Sequence, residues 1–307
     1  MNCSHAPPPR ILGIGAVVVD SLYLLDAWPR PDTKVPARSR VQQAGGPVPT
    51  ALRALANFGC RAVLASRIGN DTYGRFIQET LAESGVDLKH LLVSPGDKSG
   101  TASVWIDAAA QTRTLVFSEG SLGAFDYEAF DFGSFEGIQH LHIDGREPAC
   151  AAKAARVCRE QGISVSIDTG SYRPPTVTLL ELCDCVIMPR TFAASWLGDA
   201  DSLLSLAERV FARLDGVRLF ALTDGVRGSV YTDGTLWVEK PALSVPVIDS
   251  CGAGDVHAGS VIYGFLQHWS MEKIALFAPA AAAWKCMRLG NAVLPSFDDI
   301  TSLCECT

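Results

Sequence analysis

The sequence alternates short apolar runs with helical patterns, and this alternation limits the possible fold more than any other feature. Runs of strand length cover residues 11–19, 61–68, 139–143, 163–167, 185–188 and 218–222. Helical patterns cover residues 73–84, 148–161, 191–197 and 202–214. Because strands separated by helices pair in parallel through crossover connections, this order predicts an α/β fold with a doubly wound sheet.

Two regions depart from the alternation. Residues 21–43 and 100–118 are rich in β-forming residues and contain no helical pattern. In the second region, residues 101–107 and 112–117 flank a polar turn, which predicts a hairpin. We therefore expect a small second sheet, formed by about 21–43 and 100–118, that serves as a lid and excludes water from a reaction site.

Composition excludes several classes of protein. The 307 residues are 48% hydrophobic and 19% charged with a net charge of -7, which is typical of a globular chain and unfavourable for nucleic-acid binding. No apolar run reaches the ~18 residues of a membrane span, and residues 1–10 lack the apolar core of a signal peptide. Because ten cysteines occur without such a signal, we expect a cytoplasmic protein. The negative charge and the lack of a membrane span predict no nucleic-acid or membrane partner.

The common nucleotide-binding fingerprints are absent. After Gly13-Ile-Gly15, the third glycine of G-x-G-x-x-G is replaced by Val18, so a dinucleotide loop is not predicted there. No lysine follows a glycine, which excludes the P-loop, and no H-E-x-x-H, G-x-S-x-G or H-R-D sequence occurs.

The segment from Val247 to Gly259 carries the strongest chemical signal. A strand-like run ends at Asp249, a turn with two glycines follows, and a helical pattern begins near Asp255. The start of a helix binds anions through its dipole and its free amides. A carboxylate beside such a site can take a proton from an alcohol while a phosphoryl group is transferred. The alternative for Asp255 alone is a structural N-cap.

This segment, Asp249-Ser-Cys-Gly-Ala-Gly-Asp255, resembles the D-T-x-G-A-G-D motif of ribokinase-like (PfkB) carbohydrate kinases. Further segments resemble family motifs in the expected order: Ala44-Gly-Gly46 with the small-residue helix after it, Arg67-Ile-Gly-Asn-Asp-Thr-Tyr-Gly74, and Leu222-Thr-Asp-Gly-Val-Arg-Gly228. The resemblance covers nearly the whole chain. It implies that residues 1–307 form one kinase domain, a three-layer αβα sandwich with a small β-sheet lid.

The resemblance also implies roles for single residues. Asp255 would be the catalytic base, and the amides of Gly252, Ala253 and Gly254 would form an anion hole. The residues implied in sugar binding are Asp20, Gly45, Gly46 and Thr50, and those implied in ATP binding are Thr223, Gly225, Gly228 and Asp249. ATP and Mg²⁺ are the implied cofactors, without an assigned metal ligand. Family members often bind K⁺ near the G-A-G-D loop, and a K⁺ requirement stays open here.

Some positions depart from ribokinase and resemble a narrower branch. The N-x-x-E motif that organises magnesium is replaced by Arg190-Thr-Phe-Ala193, and His257 stands where the family has an apolar residue. His140-Leu-His-Ile-Asp-Gly-Arg146 and Trp284-Lys-Cys286 resemble ketohexokinases and sulfofructose kinases. In sulfofructose kinases a lid lysine and an arginine grip the sulfonate. Lys34 and Arg146 fall at the matching positions, with Phe117 or Ser118 at a third.

Three functions follow as hypotheses. The first is an ATP-dependent kinase for a ketose-like sugar, a neutral ketohexose or one with an anionic substituent. The second is a nucleoside or ribose kinase of the same fold, with Phe117, Trp105 and Tyr172 as candidate base-stacking residues. The third is a degenerate kinase that senses sugar. The exposed edges of the lid also predict a possible homodimer.

Overall fold

The computed structural model describes residues 7–123, 128, 130 and 137–305. In these ranges, thirteen strands form two sheets. In chain order they are β1 (Arg10–Ile14), β2 (Val18–Leu25), β3 (Ser39–Gly45), β4 (Arg61–Gly69), β5 (Asp87–Ser94), β6 (Gly100–Asp107), β7 (Thr112–Ser118), β8 (His140–Ile143), β9 (Ser164–Asp168), β10 (Cys185–Pro189), β11 (Leu219–Thr223), β12 (Ser229–Thr232) and β13 (Trp237–Lys240).

The larger sheet has the strand order β13-β12-β11-β10-β9-β8-β1-β4-β5. Its strands from β5 to β11 pair in parallel, and β12 and β13 add an antiparallel edge. The α/β prediction is thus confirmed. The carboxyl ends of seven parallel strands lie along one edge, which is where ligands bind in open α/β sheets.

Helices cover both faces of this sheet. They are α1 (Pro47–Asn57), α2 (Thr72–Glu83), α3 (Pro148–Glu160), α4 (Pro174–Val177), α5 (Arg190–Leu197), α6 (Leu203–Phe211), α7 (Ala253–Leu266), α8 (Met271–Cys286) and α9 (Phe297–Glu305). Successive residues of β1 enter opposite cores: Ile11 packs with α1, α2, α7 and α8, whereas Leu12 packs with α3, α5 and α6. This alternation is the period-two pattern of a strand buried on both faces, and it confirms the three-layer sandwich.

Helix α8 contains the apolar run around Pro279 and packs against α7 and α9. Most of its residues are buried, including Lys285 near its end. No helix in the described ranges is long and apolar enough to cross a membrane.

The smaller sheet has the order β3-β2-β6-β7. Strand β2 pairs antiparallel with β3 and parallel with β6, and β6 forms the predicted hairpin with β7. Its strands lie within residues 18–45 and 100–118, so the first predicted segment, 21–43, is too short at both ends.

The predicted strand over residues 11–19 is wrong, because the chain leaves the large sheet after Ile14 and enters the small sheet at Val18. Gly15 lies at the break, and a Cβ there would lie 2.5 Å from Oδ2 of Asp144. Hydrophobicity does not reveal the break because Ile14, Val17 and Val19 are all buried.

Candidate active site

The loop that leads into α7 exposes its backbone at Gly254, whereas the amide of Ala253 donates to the carbonyl of Ser250 at 3.3 Å. Gly252 precedes the helix with a φ of +80°, and an added Cβ would lie 2.5 Å from Nδ2 of Asn291. Glycine is therefore required by both backbone conformation and space. Around Gly254, no described atom lies within 4 Å of the Cβ position. Because the first amides of a helix have no intrahelical partners, this end of α7 can bind an anion.

A buried ion pair holds this loop from behind. Lys285 of α8 donates from Nζ to Oδ2 of Asp249 at 2.8 Å and to the Asp249 carbonyl at 2.9 Å. Asp249 also accepts from the amides of Gly290, at 2.9 Å, and Cys251, at 2.8 Å. Burying two charges is costly unless further hydrogen bonds satisfy them. The carboxylate of Asp249, which was predicted to bind ATP, is therefore fully engaged in hydrogen bonds that shape the loop. Its partner Lys285 belongs to the Trp284-Lys-Cys286 segment.

Asp255 lies in the first turn of α7, half-buried. Burial raises its pKa to about 6, and the negative charge of Asp20 adds to the effect. Arg113 and Lys285 act in the opposite direction, and Asp144 raises the pKa further. A carboxylate with this pKa is ionised at neutral pH and basic enough to accept a proton from a hydroxyl.

Asp20 lies in β2, not at the end of β1 as the sequence suggested, and faces the same site. Burial raises its pKa to about 6, against a hydrogen bond from Nε2 of Gln43 at 3.3 Å. A Cβ on Gly45 would lie 2.0 Å from Oδ2 of Asp20, so glycine is required beside the carboxylate. Gly46 has a φ of +111° and precedes α1. The structure thus brings Asp20, Gly45 and Gly46 together, with Thr50 buried in the first turn of α1.

Two carboxylates that the sequence interpretation missed lie at neighbouring strand ends. Asp144 follows β8, and Asp168 ends β9. Burial raises the pKa of Asp168 to about 7, and the charge of Asp255 raises it further. Burial also raises the pKa of Asp144, whose Oδ1 accepts from the Arg146 amide at 2.9 Å. Their position directly after two predicted parallel strands was the signal that could have revealed them.

Lys34 and Arg146 do not converge. Arg146 lines a cavity of about 240 Å³ between the two sheets, with Phe117 and Ser118. Lys34 lines a different cavity, of about 510 Å³, with Tyr23 and Trp105. Tyr23 lies three residues after Asp20 on β2, and Trp105 is its cross-strand neighbour on β6. Because side chains alternate between the two faces along a strand, this second cavity lies on the face of the small sheet opposite to Asp20.

Arg67, which was not predicted, is a second cation in the cavity of Arg146. Its Nη2 donates to the carbonyl of Gly123, and its Nε is buried with no partner in the described chain. The ring of Phe117 lies 5.9 Å from the guanidinium carbon of Arg146. The cavity therefore combines two arginines with an aromatic wall, and two glutamates, Glu119 and Glu147, also line it.

The predicted ATP loop begins at Thr223, the last residue of β11. A short 3₁₀ helix, Gly225–Arg227, follows, and Gly228 closes the loop with a φ of +106°. A Cβ on Gly228 would lie 2.2 Å from the carbonyl oxygen of Lys240, whereas the Cβ position of Gly225 has no described atom within 4 Å. Packing thus requires glycine at position 228, whereas the backbone at Gly225 has free space beside it.

An ion-pair network replaces the N-x-x-E motif beside this loop. Arg190, at the start of α5, pairs with Asp224 at 3.1 Å and Asp199 at 2.9 Å. Arg227 pairs with the same Asp224 at 2.6 Å. At the former glutamate position, Ala193 is buried. Among the described residues no group of three or more His, Cys, Asp or Glu side chains is arranged to hold a metal ion.

His257 packs behind the site. Its Nε2 lies 2.6 Å from the hydroxyl of Tyr231, which accepts a hydrogen bond from Ser229. Burial lowers the pKa of His257 to about 4, so the ring is neutral at pH 7. The second ring nitrogen, Nδ1, has no partner in the described ranges. The side chain is therefore buried, with only one of its two ring nitrogens hydrogen-bonded to a described residue.

Comparisons with known proteins find kinases of similar sequence and fold. The chain is 27% identical to an ATP-dependent ribose-1-phosphate kinase of Halopiger xanaduensis, over 95% of this chain and 97% of the relative. It is 25% identical to a ketohexokinase of Mus musculus, over 90% of this chain and 96% of the relative. The crystal structure of 2-dehydro-3-deoxygluconokinase from Thermotoga maritima has the same fold, with a TM-score of 0.85, 21% identity, and coverage of 98% and 99% of the two chains.

The family match covers almost the whole described chain. Residues 10–296 match the profile of the pfkB family carbohydrate kinases. This range includes both sheets, the loop before α7 and the loop at Gly225. The chain therefore belongs to the pfkB family of carbohydrate kinases and is an ATP-dependent phosphotransferase.

Proposed function

We propose that the protein transfers the γ-phosphate of ATP to a hydroxyl of a small ketose-like sugar held between the two sheets. The observation that carries the proposal is the position of Asp255, an ionisable base half-buried at the amide-rich start of α7. Asp255 takes the proton of the attacking hydroxyl, and the amides of Gly252, Ala253 and Gly254 stabilise the charge that spreads over the phosphoryl oxygens.

The residues that surround Asp255 support sugar binding. Asp20 accepts hydrogen bonds from sugar hydroxyls, and Gly45 and Gly46 let the sugar approach the backbone closely. Thr50 supports the turn below them. The small sheet acts as a lid that excludes water, because its inner face carries Asp20 over the carboxyl ends of the parallel strands.

ATP fits the open loop after β11. The exposed backbone at Gly225 and the exposed amides at Gly254 offer donors to its ribose and phosphates, with Thr223 and Gly228 fixing the loop. ATP, when bound, supplies the phosphoryl group and carries Mg²⁺ on its phosphates, since Mg²⁺ commonly binds through substrate phosphates and water. Asp249 contributes by shaping the loop through its pair with Lys285.

Two substrate classes are compatible with this site. The ketohexokinase relative supports a ketohexose, and the ribose-1-phosphate kinase relative supports a ribose-type sugar, as in the ribose and nucleoside kinase alternative. The cavity of Arg67 and Arg146 favours a sugar that carries an anionic substituent, because an arginine fork binds phosphate, sulfonate or carboxylate groups in a bidentate manner. Lys34 lines the cavity on the opposite face of the small sheet and therefore does not contribute to this grip.

A turnover assay separates these substrates. ADP release would be measured with ATP and Mg²⁺ against fructose, sulfofructose, fructose phosphates, ribose, ribose 1-phosphate, ketodeoxygluconate and adenosine. A preference for an anionic sugar that is lost in Arg67→Gln and Arg146→Gln, but not in Lys34→Gln, supports the anionic class. Equal use of neutral sugars by all four proteins refutes it. No turnover on any sugar of the panel, with ATP still bound, indicates either a sugar outside the panel or the sensor hypothesis.

The lid also supports a homodimer. Strands β3 and β7 are the edges of the small sheet, and Val116 on β7 is exposed. An exposed edge offers unpaired backbone groups to a second copy. Sedimentation equilibrium tests this proposal, and a monomer across the working concentration range refutes it.

A further inference from the structure

Gln43 lies on the inner face of the small sheet, beside the carboxylate of Asp20. The two residues are cross-strand partners in the β2–β3 pair, and only 3% of the surface of Gln43 is exposed. Because cross-strand partners share a face of a sheet, both side chains lie on the same side. Nε2 of Gln43 donates to Oδ2 of Asp20 at 3.3 Å. This bond holds one oxygen of the carboxylate and leaves the other to a ligand.

The oxygen of the same carboxamide is bound to the turn that follows α8. Oε1 of Gln43 accepts from the backbone amide of Asn291, which lies 248 positions later in the chain. The preceding residue, Gly290, has a φ of +72°, and an added Cβ there would lie 2.7 Å from this Oε1. Glycine at position 290 therefore keeps free the space that the side chain of Gln43 occupies.

This turn also supports the loop that leads into α7. The amide of Gly290 donates to Oδ2 of Asp249 at 2.9 Å. The side chain of Asn291 lies against Gly252, because an added Cβ on that glycine would lie 2.5 Å from Nδ2 of Asn291. The turn thus contacts the loop at two points. One buried carboxamide stands between this turn and the carboxylate of Asp20.

The nitrogen and the oxygen of the Gln43 carboxamide cannot be exchanged. A backbone N–H requires an acceptor opposite it, and an ionised carboxylate requires a donor. With Nε2 and Oε1 exchanged, both contacts would become repulsive. The carboxamide is therefore chemically specified at both ends, and neither an ionised carboxylate nor an apolar side chain of the same length reproduces the two bonds.

We propose that Gln43 is a positioning residue, which aligns the sugar-binding carboxylate of Asp20 with the amides at the start of α7. This inference rests on the function proposed above. Phosphoryl transfer requires the attacking hydroxyl to lie in line with the phosphoryl group that those amides hold. The small sheet packs on the loop through an apolar cluster of Leu22, Val104 and Cys251. Such packing has no direction, whereas the two hydrogen bonds of Gln43 do.

The first test compares Gln43→Met with the control Gln42→Met. Gln42 precedes Gln43 in β3 and is half-buried on the opposite face of the sheet, where its Nε2 donates to Oγ of Ser21 at 3.4 Å. A misplacement of about 1 Å costs about 10²-fold in rate. We expect Gln43→Met to lose about this factor in kcat and Gln42→Met to keep the wild-type kcat. Wild-type kcat in Gln43→Met, or an equal loss in both variants, overturns this inference.

Gln43→Glu separates the two ends of the contact. The new carboxyl still accepts from the Asn291 amide, so kcat should stay within about threefold of the wild-type value. It donates to Asp20 only while the two carboxyl groups share a proton, since neighbouring carboxylates resist double ionisation. The other charged groups close to Asp20 are Asp249 and Asp255, and every variant keeps them.

The KM for sugar should therefore depend on pH in Gln43→Glu. We expect a value near that of the wild type at pH 6.5 and a rise of about 10–100-fold by pH 8.5, because the hydrogen bond to the carboxylate is then lost. In the wild type and in Gln43→Met, which have no titrating group at this position, KM should not rise with pH. A side chain that only fills space predicts no such difference, and a KM of Gln43→Glu that stays constant overturns the inference.

Hydrogen exchange without substrate separates a failure of this inference from a failure of the proposed function. The backbone amide of Asn291 should exchange faster in Gln43→Met than in the wild type, and at the wild-type rate in Gln43→Glu. Unchanged exchange in Gln43→Met overturns this inference alone, whatever the activity of the protein. A wild-type protein that phosphorylates no sugar overturns the proposed function and this inference together.

Discussion

Asp249 and Asp255 lie at the two ends of one short loop, in opposite environments. The carboxylate of Asp249 is buried and accepts hydrogen bonds from Lys285, Gly290 and Cys251. The carboxylate of Asp255 accepts no hydrogen bond from the described residues and has its pKa raised by burial. One end of the loop is satisfied and fixes its shape, whereas the other keeps a half-buried carboxylate with no hydrogen-bond donor among the described residues.

The difference has a physical reason. A buried ion pair with further hydrogen bonds is stable as long as both partners remain. A base that must accept a proton gains nothing from being satisfied beforehand, because every hydrogen bond to its charged form lowers its pKa. The rigid end therefore holds the reactive end in place without donating a hydrogen bond to its carboxylate, and the charge of Lys285 is the smallest of the effects on the pKa of Asp255.

The largest expected effect comes from removing the reactive carboxylate. A positioned general base contributes about 10²–10⁴-fold to rate, so Asp255→Asn should lose that factor in kcat while still binding ATP. The free energy of unfolding at pH 8 should be unchanged or higher, because burial disfavours the charged form of Asp255 and the substitution removes that charge. Steady-state kinetics and thermal unfolding measure both. Asp201→Asn, at an exposed position, is the control, and near-wild-type turnover in Asp255→Asn would show that the base is another residue.

The opposite pattern is expected at the satisfied end. Lys285→Met leaves the charge of Asp249 buried and unpaired, and breaking such a pair costs about 3–5 kcal/mol. Urea unfolding measures the loss, and Lys273→Met, exposed in the same helix, should stay within about 1 kcal/mol. In the double variant Asp249→Asn/Lys285→Met, part of the stability should return. If Lys285→Met unfolds like the wild type, the loop is not held by this pair.

The two ends also differ in how much the sequence reveals. The glycines and Asp255 are contiguous and carry their chemistry in one segment, so the motif alone identified them. The partner of Asp249 lies 36 residues later on α8, and no local pattern links the two. Asp144, Asp168 and Arg67 come from three different strands or strand ends of the large sheet, and Arg113 comes from β7 of the small sheet, so only the tertiary fold places them on one side of the molecule.

The fold itself was more accessible than the site. Strands buried on both faces leave continuous apolar runs, so β4, β8, β9, β10 and β11 were predicted close to their observed bounds. The half-exposed edge strands β5 and β13 lack such runs and were not predicted. The sequence could not place Lys34, because its position depends on where the chain passes from the large sheet to the small sheet. That passage, between Ile14 and Val18, lies inside the apolar run that was predicted as one strand.

A second group of buried polar residues sharpens the contrast, because its two histidines are buried like Asp249 but become charged near neutral pH only in the unfolded chain. His140 contacts Ser164 and Ser166 at 2.7 Å, and His142 contacts Ser166 at 3.0 Å. Burial lowers the pKa of His140 to about 3 and of His142 to about 4. Since the unfolded chain binds these protons near pH 6.5 and the native chain does not, stability is complete above that pH and falls as the pH drops toward 4.

The loss between pH 7 and pH 5 should be about 2 kcal/mol for each of these histidines. The buried carboxylates of Asp20 and Asp168 titrate in the opposite sense, because their native pKa values are raised. They are common to the wild type and to His140→Gln/His142→Gln, so the difference between the two proteins isolates the histidines. Urea unfolding at both pH values measures it. Parallel pH dependences in the two proteins would contradict a neutral buried pair.

The smallest expected effect tests the reactive end through its electrostatics. With a pKa of about 6 for Asp255, kcat/KM should fall by about tenfold per pH unit below that value, because the protonated carboxyl cannot act as the base. The negative charge of Asp20 contributes to the raised pKa, so Asp20→Asn should move this acid limb to lower pH even though sugar binding weakens. Asp201→Asn should leave the limb in place. A limb that stays near 6 or moves upward in Asp20→Asn would mean that the charge of Asp20 does not raise the pKa of Asp255, which would then owe its basicity to burial and to the charge of Asp144.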